Sequence, residues 1–138
     1  MRKKAIILIM AVSMMFACVS VAQARASEYI SNYTIYAEAG DNPGEINIIF
    51  GVQGTPGVTK LGATSIKIYK SNGVHVTTIW GSTSNGLMAT VGNRYFENTY
   101  TFVGEPGTSY YALVTCYAGN ASGSDTRQGM TPTIKAPY

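Results

Sequence analysis

From Tyr29 onward, apolar and polar residues alternate with a period of two, and glycine, proline and asparagine repeatedly interrupt the pattern. No segment repeats its apolar residues at helical spacing. The chain must therefore bury one face of each of several short strands. Tyr29, Tyr33, Ile35 and Ala37 share one face of a first segment ending at Ala39, and Ile46, Ile48, Phe50 and Val52 mark the inner face of a second. Asp41-Asn42-Pro43-Gly44 separates them as a turn, and glycine and proline from Gly51 to Gly57 close the second. A third strand is predicted from Thr64 to Lys70, with Ile66 and Ile68 inward. Ser71-Asn72-Gly73 then turns tightly into a fourth, Val74 to Trp80.

Gly81 to Gly92 is polar and glycine-bearing, so it reads as a loop or a short irregular edge strand, with Leu87 and Met88 packed on the core. Tyr95 to Val103 resumes the alternation with Phe96, Tyr100 and Phe102 on one face. After the turn Gly104-Glu105-Pro106-Gly107, the sixth long strand runs from Ser109 to Ala118. A polar loop from Gly119 to Asp125 is expected to lead to a last strand near Gln128 to Lys135. Seven or eight such strands without helices predict an all-β, antiparallel β-sandwich, with a small closed barrel as the alternative.

The segment Gly107 to Ala118, GTSYYALVTCYA, resembles the sixth strand of fibronectin type III and related immunoglobulin-like domains. That resemblance implies a tyrosine corner at Tyr110, whose hydroxyl bonds backbone upstream, and an inward face of Ala112, Val114, Cys116 and Ala118. The chain departs from the immunoglobulin pattern in having no disulfide pair and no Trp on the third strand, its single Trp80 coming a strand later. More broadly, the early Tyr29, Tyr33, Ile35, Ala37 strand, the hairpin Ile66-Lys67-Ile68-Tyr69 and the segment Tyr117-Ala118-Gly119-Asn120 resemble a family of small secreted Gram-positive bacterial proteins of unknown function. This second resemblance implies export and a compact β domain, and it carries no catalytic residue across.

The first 26 residues have a cationic start at Arg2, Lys3 and Lys4, an apolar run from Ala5 to about Ala22, and overlapping sites Ala22-Gln23-Ala24 and Ala24-Arg25-Ala26. This is the layout of a secretory signal peptide, with cleavage favoured after Ala26. An uncleaved anchor is the alternative, because the run approaches the roughly 20 residues of a spanning helix. Cys18 does not suit a lipidation site, since Met15-Phe16-Ala17 before it includes bulky residues where such sites favour Leu and small ones. The expected mature domain, 27 to 138, is then extracellular, without a membrane-inserted segment, and retains only Cys116, so no intramolecular disulfide can form. Asn32-Tyr33-Thr34 and Asn120-Ala121-Ser122 are glycosylation sequons that matter only in a eukaryotic secretory route.

Of ten cations, Arg2, Lys3, Lys4 and Arg25 fall in the leader, leaving six against seven acids, a net charge of −1. The remaining cations are scattered, which excludes a nucleic-acid partner of the phosphate-neutralising kind. Charged residues are 12% and hydrophobic residues 46%, a balance that excludes disorder.

Catalytic constellations are sparse. The one histidine, His75, is predicted to be exposed while Cys116 faces inward, so no nucleophile and base pair is expected. No His and Cys cluster suits zinc, and no cofactor motif is present. Asp41, Asn42 and Glu45, and Asn120 with Asp125, are loop oxygens of the type calcium takes, but Asx residues in turns bond their own backbone.

The surface carries the remaining signal. With Ile66, Ile68, Val114 and Cys116 inward, Tyr69, Tyr111, Leu113 and Tyr117 share an outer face if the two strands are neighbours, as in an immunoglobulin-like sandwich. The residues point to a non-catalytic binding domain whose partner is a protein or glycan at a cell surface or in the medium, with a monomer compatible with that role. An antimicrobial or toxin-like factor, and a subunit assembling through an exposed strand edge, are the alternatives.

Overall fold

Alternation of more and less buried side chains is clearest in the second, sixth and seventh strands of the computed structural model, which describes residues 27–90 and 94–138. The expected signal peptide and the end of the Gly81 to Gly92 segment lie outside the described residues. The strands are β1 (Ile30–Ala39), β2 (Glu45–Gly54), β3 (Lys60–Lys70), β4 (His75–Trp80), β5 (Met88–Thr90), β6 (Tyr95–Val103), β7 (Ser109–Asn120), β8 (Gly123–Met130) and β9 (Ile134–Lys135). They form two antiparallel sheets, a minor one in the order β1-β2-β6 and a major one in the order β4-β3-β7-β8. Of the two short strands, β5 extends the edge of β3 and β9 that of β7. This is the all-β, antiparallel sandwich that the alternation predicts, and it is compatible with the immunoglobulin-like arrangement that the resemblance implies.

The two sheets meet through their apolar rows. Ile46, Ile48, Phe50 and Val52 of β2 are at most 2% exposed, as are Ile66 and Ile68 of β3 and Ala112, Val114, Cys116 and Ala118 of β7. Each fully buried Ile, Val or Phe contributes about 1.5–3 kcal/mol relative to leaving it in water. Phe96, Tyr100 and Phe102 of β6 close one flank of this core, half-buried.

Tyr110 forms the expected corner. Its hydroxyl oxygen accepts a 2.8 Å bond from the Glu105 N–H, and its ring stands edge-on to Phe102 at 5.1 Å. On the other side of that turn, Gly104 N–H donates to Gly44 O at 2.8 Å. Gly44 has φ +78°, and a Cβ there would come within 2.2 Å of Gly104 O, so only glycine allows the two turns to meet.

Four boundaries differ from the sequence expectation, each for a physical reason. β3 begins at Lys60 because a bulge near Thr64 absorbs one residue, turning Leu61 and Ala63 inward along with Ile66 and Ile68. A second irregularity, at Val76, shifts β4 against β3. Gly119 to Asp125 is no loop: Asn120 pairs with Gly123 and the chain returns at once as β8, whose polar residues are held by backbone pairing to β7. The expected last strand is divided into β8 and β9 at Thr131-Pro132-Thr133, where proline cannot donate to a ladder. Gly81 to Gly92 contains the short strand β5, and Leu87 and Met88 are buried as expected.

Asp125 fastens the start of the described chain to β8. Its Oδ2 accepts bonds from Ser27 Oγ (2.7 Å), Glu28 N (2.8 Å) and Tyr29 N (2.9 Å), while Ser27 Oγ itself accepts from Ile30 N (2.8 Å). The bond from Ser27 is the main influence holding this carboxyl below its ordinary pKa, aided by the backbone donors of Tyr29 and Glu28 and by the charge of Arg127.

Two outcomes follow from these contacts. Tyr110→Phe, which deletes only the corner hydroxyl, lowers unfolding free energy by about 1 kcal/mol in urea titrations, and Tyr110→Ala lowers it by about 3–5 kcal/mol. Because the folded Asp125 carboxyl titrates below its unfolded value of about 3.9, its contribution is complete above that pH and fades as pH falls further. The difference in melting temperature between wild type and Asp125→Asn is therefore widest near neutral pH and closes in acid; a difference independent of pH contradicts the clip.

Candidate functional site

β3 and β7 lie side by side in the middle of the major sheet, so their outward residues form the centre of one broad face. The register sets Tyr69 opposite Tyr111 and Lys67 opposite Leu113. The rings of Tyr69 and Tyr111 stack at 5.3 Å with an interplanar angle of 12°. His75 of β4, opposite Tyr69, meets that ring at 5.3 Å and 65°, and its Nε2 lies 2.8 Å from Thr78 Oγ1. Three aromatic rings thus line up across three strands at one end of the face.

Leu113 lies beside this group and opposite Met130 of β8, which is 66% exposed. In the next row Thr115 Oγ1 accepts bonds from Ser65 Oγ (3.2 Å) and Gln128 Nε2 (3.0 Å), a polar band across the face. Tyr117 lies beyond that band, opposite Gly62 and Thr126. Four residues along a strand is about 13 Å, so Tyr117 shares the face with Leu113 without joining the stacked pair. The structure therefore unites Tyr69, Tyr111 and Leu113, and separates Tyr117 from them.

Trp80, 70% exposed, and Met130 belong to the same face, where period-two alternation does not place them. For Trp80 the obstacle was the extra residue at Val76, which changes the parity of β4. For Met130 it was the misplaced start of β8. His75 could have been placed beside Tyr69, since Ser71-Asn72-Gly73 makes a hairpin in which Gly73 N donates to Lys70 O (2.9 Å) and Lys70 N to Val74 O (2.9 Å).

The sandwich divides its strand charges by face. Register puts Glu38, Glu45 and Glu97 on the outer side of the minor sheet, and Lys60, Lys67 and Lys135 on the outer side of the major sheet. Among the described strands, the outer face of the major sheet bears no carboxylate. A small, mostly apolar gap behind Tyr110, between Ala37, Ile48, Phe102 and Ala112, belongs to the core; the hydroxyls of Thr131 and Tyr110 in its lining accept from Ala112 N and Glu105 N at 2.9 and 2.8 Å.

The other sequence-derived candidates resolve into structural roles. Cys116 is fully buried on the inner side of the major sheet, and burial pushes its thiol up to about 12. His75 is exposed on the opposite side of that sheet, so the two cannot act as nucleophile and base. Asn42 Nδ2 bonds Glu45 Oε2 (2.7 Å), Asn120 Oδ1 takes the Ser122 N–H (2.8 Å), and Asp125 holds Ser27 to Tyr29. These loop oxygens serve turns and strand ends, and no group of three or more metal-binding side chains occurs among the described residues.

Comparison with protein-family models, curated proteins and solved structures gives no match for this chain.

The buried thiol has a direct readout. At pH 8 a maleimide labels Cys116 in the native chain on the order of a hundredfold more slowly than in the urea-unfolded chain. Equal rates would mean that β7 does not point Cys116 inward, and would reverse the outward assignment of Tyr111 and Tyr117.

Proposed function

We propose that this chain is an exported, non-catalytic binding domain that recognises a protein or glycan partner through the outer face of its major sheet. The supporting observation is the stacked Tyr69 and Tyr111 pair with His75 and Leu113 beside it, bordered by the exposed Trp80 and Met130. Tyr and Trp offer large, stiff contact areas with a polar handle, which is why such residues dominate the centres of recognition surfaces. Lys67 next to this group, with no carboxylate on the strands around it, favours a partner surface that is neutral or acidic.

Export rests on the leader-like first 26 residues, with removal after Ala26, and on the resemblance to small secreted Gram-positive proteins. A cysteine buried beyond reach of other thiols suits an oxidising extracellular setting, where a free exposed thiol would invite unwanted pairing.

The test is capture of partners from culture medium, cell-wall fragments and a glycan panel by the full chain, compared with folded Tyr69→Ser/Tyr111→Ser and Tyr117→Ser variants. The double variant loses captured partner by roughly tenfold or more, whereas Tyr117→Ser stays within about twofold, since it lies outside the stacked group. A partner list that is the same for wild type and double variant retires this face as the contact.

A further inference from the structure

β4 ends the major sheet, and no described strand lies on its far side. The segment from Val74 to Trp80, VHVTTIW, contains no Asp, Glu, Lys, Arg, Pro or Gly. Val74 is 53% exposed, Val76 39% and Trp80 70%. The other long edge strands are guarded by charge: Glu38 in β1, Glu97 in β6, and Asp125 with Arg127 in β8. An uncharged, β-branched edge next to charged ones is a template for strand addition.

We propose that β4 pairs antiparallel with β4 of a second copy of this chain, about a two-fold axis through Thr78. The hydrogen-bond pattern selects that centre. Gly81 N donates to Thr64 O at 2.9 Å, so by antiparallel alternation Ile79 and Thr77 bond to β3, and Thr78 directs its N–H and C=O outward. Two Thr78 residues across the axis then exchange both bonds. Trp80 of each copy then comes opposite Val76 of the other, at the irregularity of β4, and their exposed apolar side chains cover one another. Trp80 O already accepts from Asn85 Nδ2 at 2.7 Å and keeps a second lone pair for the partner N–H. Such an interface is isologous, and the absence of charge in β4 removes the like-charge repulsion that a two-fold axis otherwise imposes. The two Lys67 side chains stand three strand spacings apart, about 14 Å, beyond a Debye length of about 8 Å.

Pairing makes one continuous sheet of the two major sheets and joins their Tyr69 and Tyr111 groups on one side. A single strand pair is at the small end of specific interfaces, so the dimer is concentration-dependent and not obligate. This inference is independent of the partner-binding reading, because mass and amide protection are read on the chain alone.

The test is sedimentation velocity of the full chain from low concentration to about 1 mM, with two variants. Thr78→Pro removes the outward N–H and leaves the β3 ladder intact. Thr78→Glu keeps the backbone, sits beside Lys67 within its own chain, and sets two carboxylates against each other across the axis. Wild type rises from one copy towards two, and both variants remain at one copy across the range; if Thr78→Pro fails to fold, Thr78→Glu decides. The Thr78 amide becomes protected from exchange as wild-type concentration rises. A wild type that stays monomeric, a dimer that folded Thr78→Glu retains, or a Thr78 amide whose exchange ignores concentration would each overturn the proposal.

Discussion

Contact between two inner rows of side chains, on β2 from one sheet and on β3 and β7 from the other, supplies the cohesion of this fold, with no crosslink among the described residues to share the task. Phe50 on one side and Val114 and Cys116 on the other admit no solvent at all. Removing a buried ring or branched side chain from such an interior costs several kcal/mol, a large part of the stability of a domain this small. The tyrosine corner, the meeting of Gly44 with Gly104, and the Asp125 clip act at the rims, where sheet pairing ends and loops must be held to the core.

With the interior devoted to packing, the chemistry of the chain lies outside, and it differs between the two sides. Three glutamates on the minor sheet oppose three lysines on the major sheet. The sandwich thus has two electrically unlike faces, and the aromatic group lies on the cationic one. The stacked geometry of Tyr69 and Tyr111 turns their faces towards each other, so the rings present edges and hydroxyls outward. This arrangement suits hydrogen bonding and edge contacts with a partner.

The legibility of the sequence follows from how each strand is buried. β2 buries one face completely, so alternation alone marks its inward residues; for β7, the resemblance to the sixth immunoglobulin-like strand supplies Tyr110 and the inward row that holds Cys116. Resemblance added the neighbouring arrangement of the third and sixth long strands, which united Tyr69 with Tyr111. Bulges near Thr64 and at Val76 defeat a period-two reading because one inserted residue reverses the parity of all that follow. β8 was hidden for a different reason: its Gly, Ser, Asp, Thr, Arg and Gln residues are held through backbone bonds, which leave no mark in side-chain hydrophobicity. Trp80 and Met130 were lost to those same two effects.

The bond from Ser27 to Asp125 joins residues 98 positions apart. A chain made from its N-terminus presents Ser27, Glu28 and Tyr29 long before the carboxylate that receives them exists. During that interval the donors of Ser27, Glu28 and Tyr29 lack this acceptor, and the long span that must close makes this a slow-searching contact. The order of synthesis therefore leaves the donors of Ser27, Glu28 and Tyr29 without this acceptor until Asp125 is made.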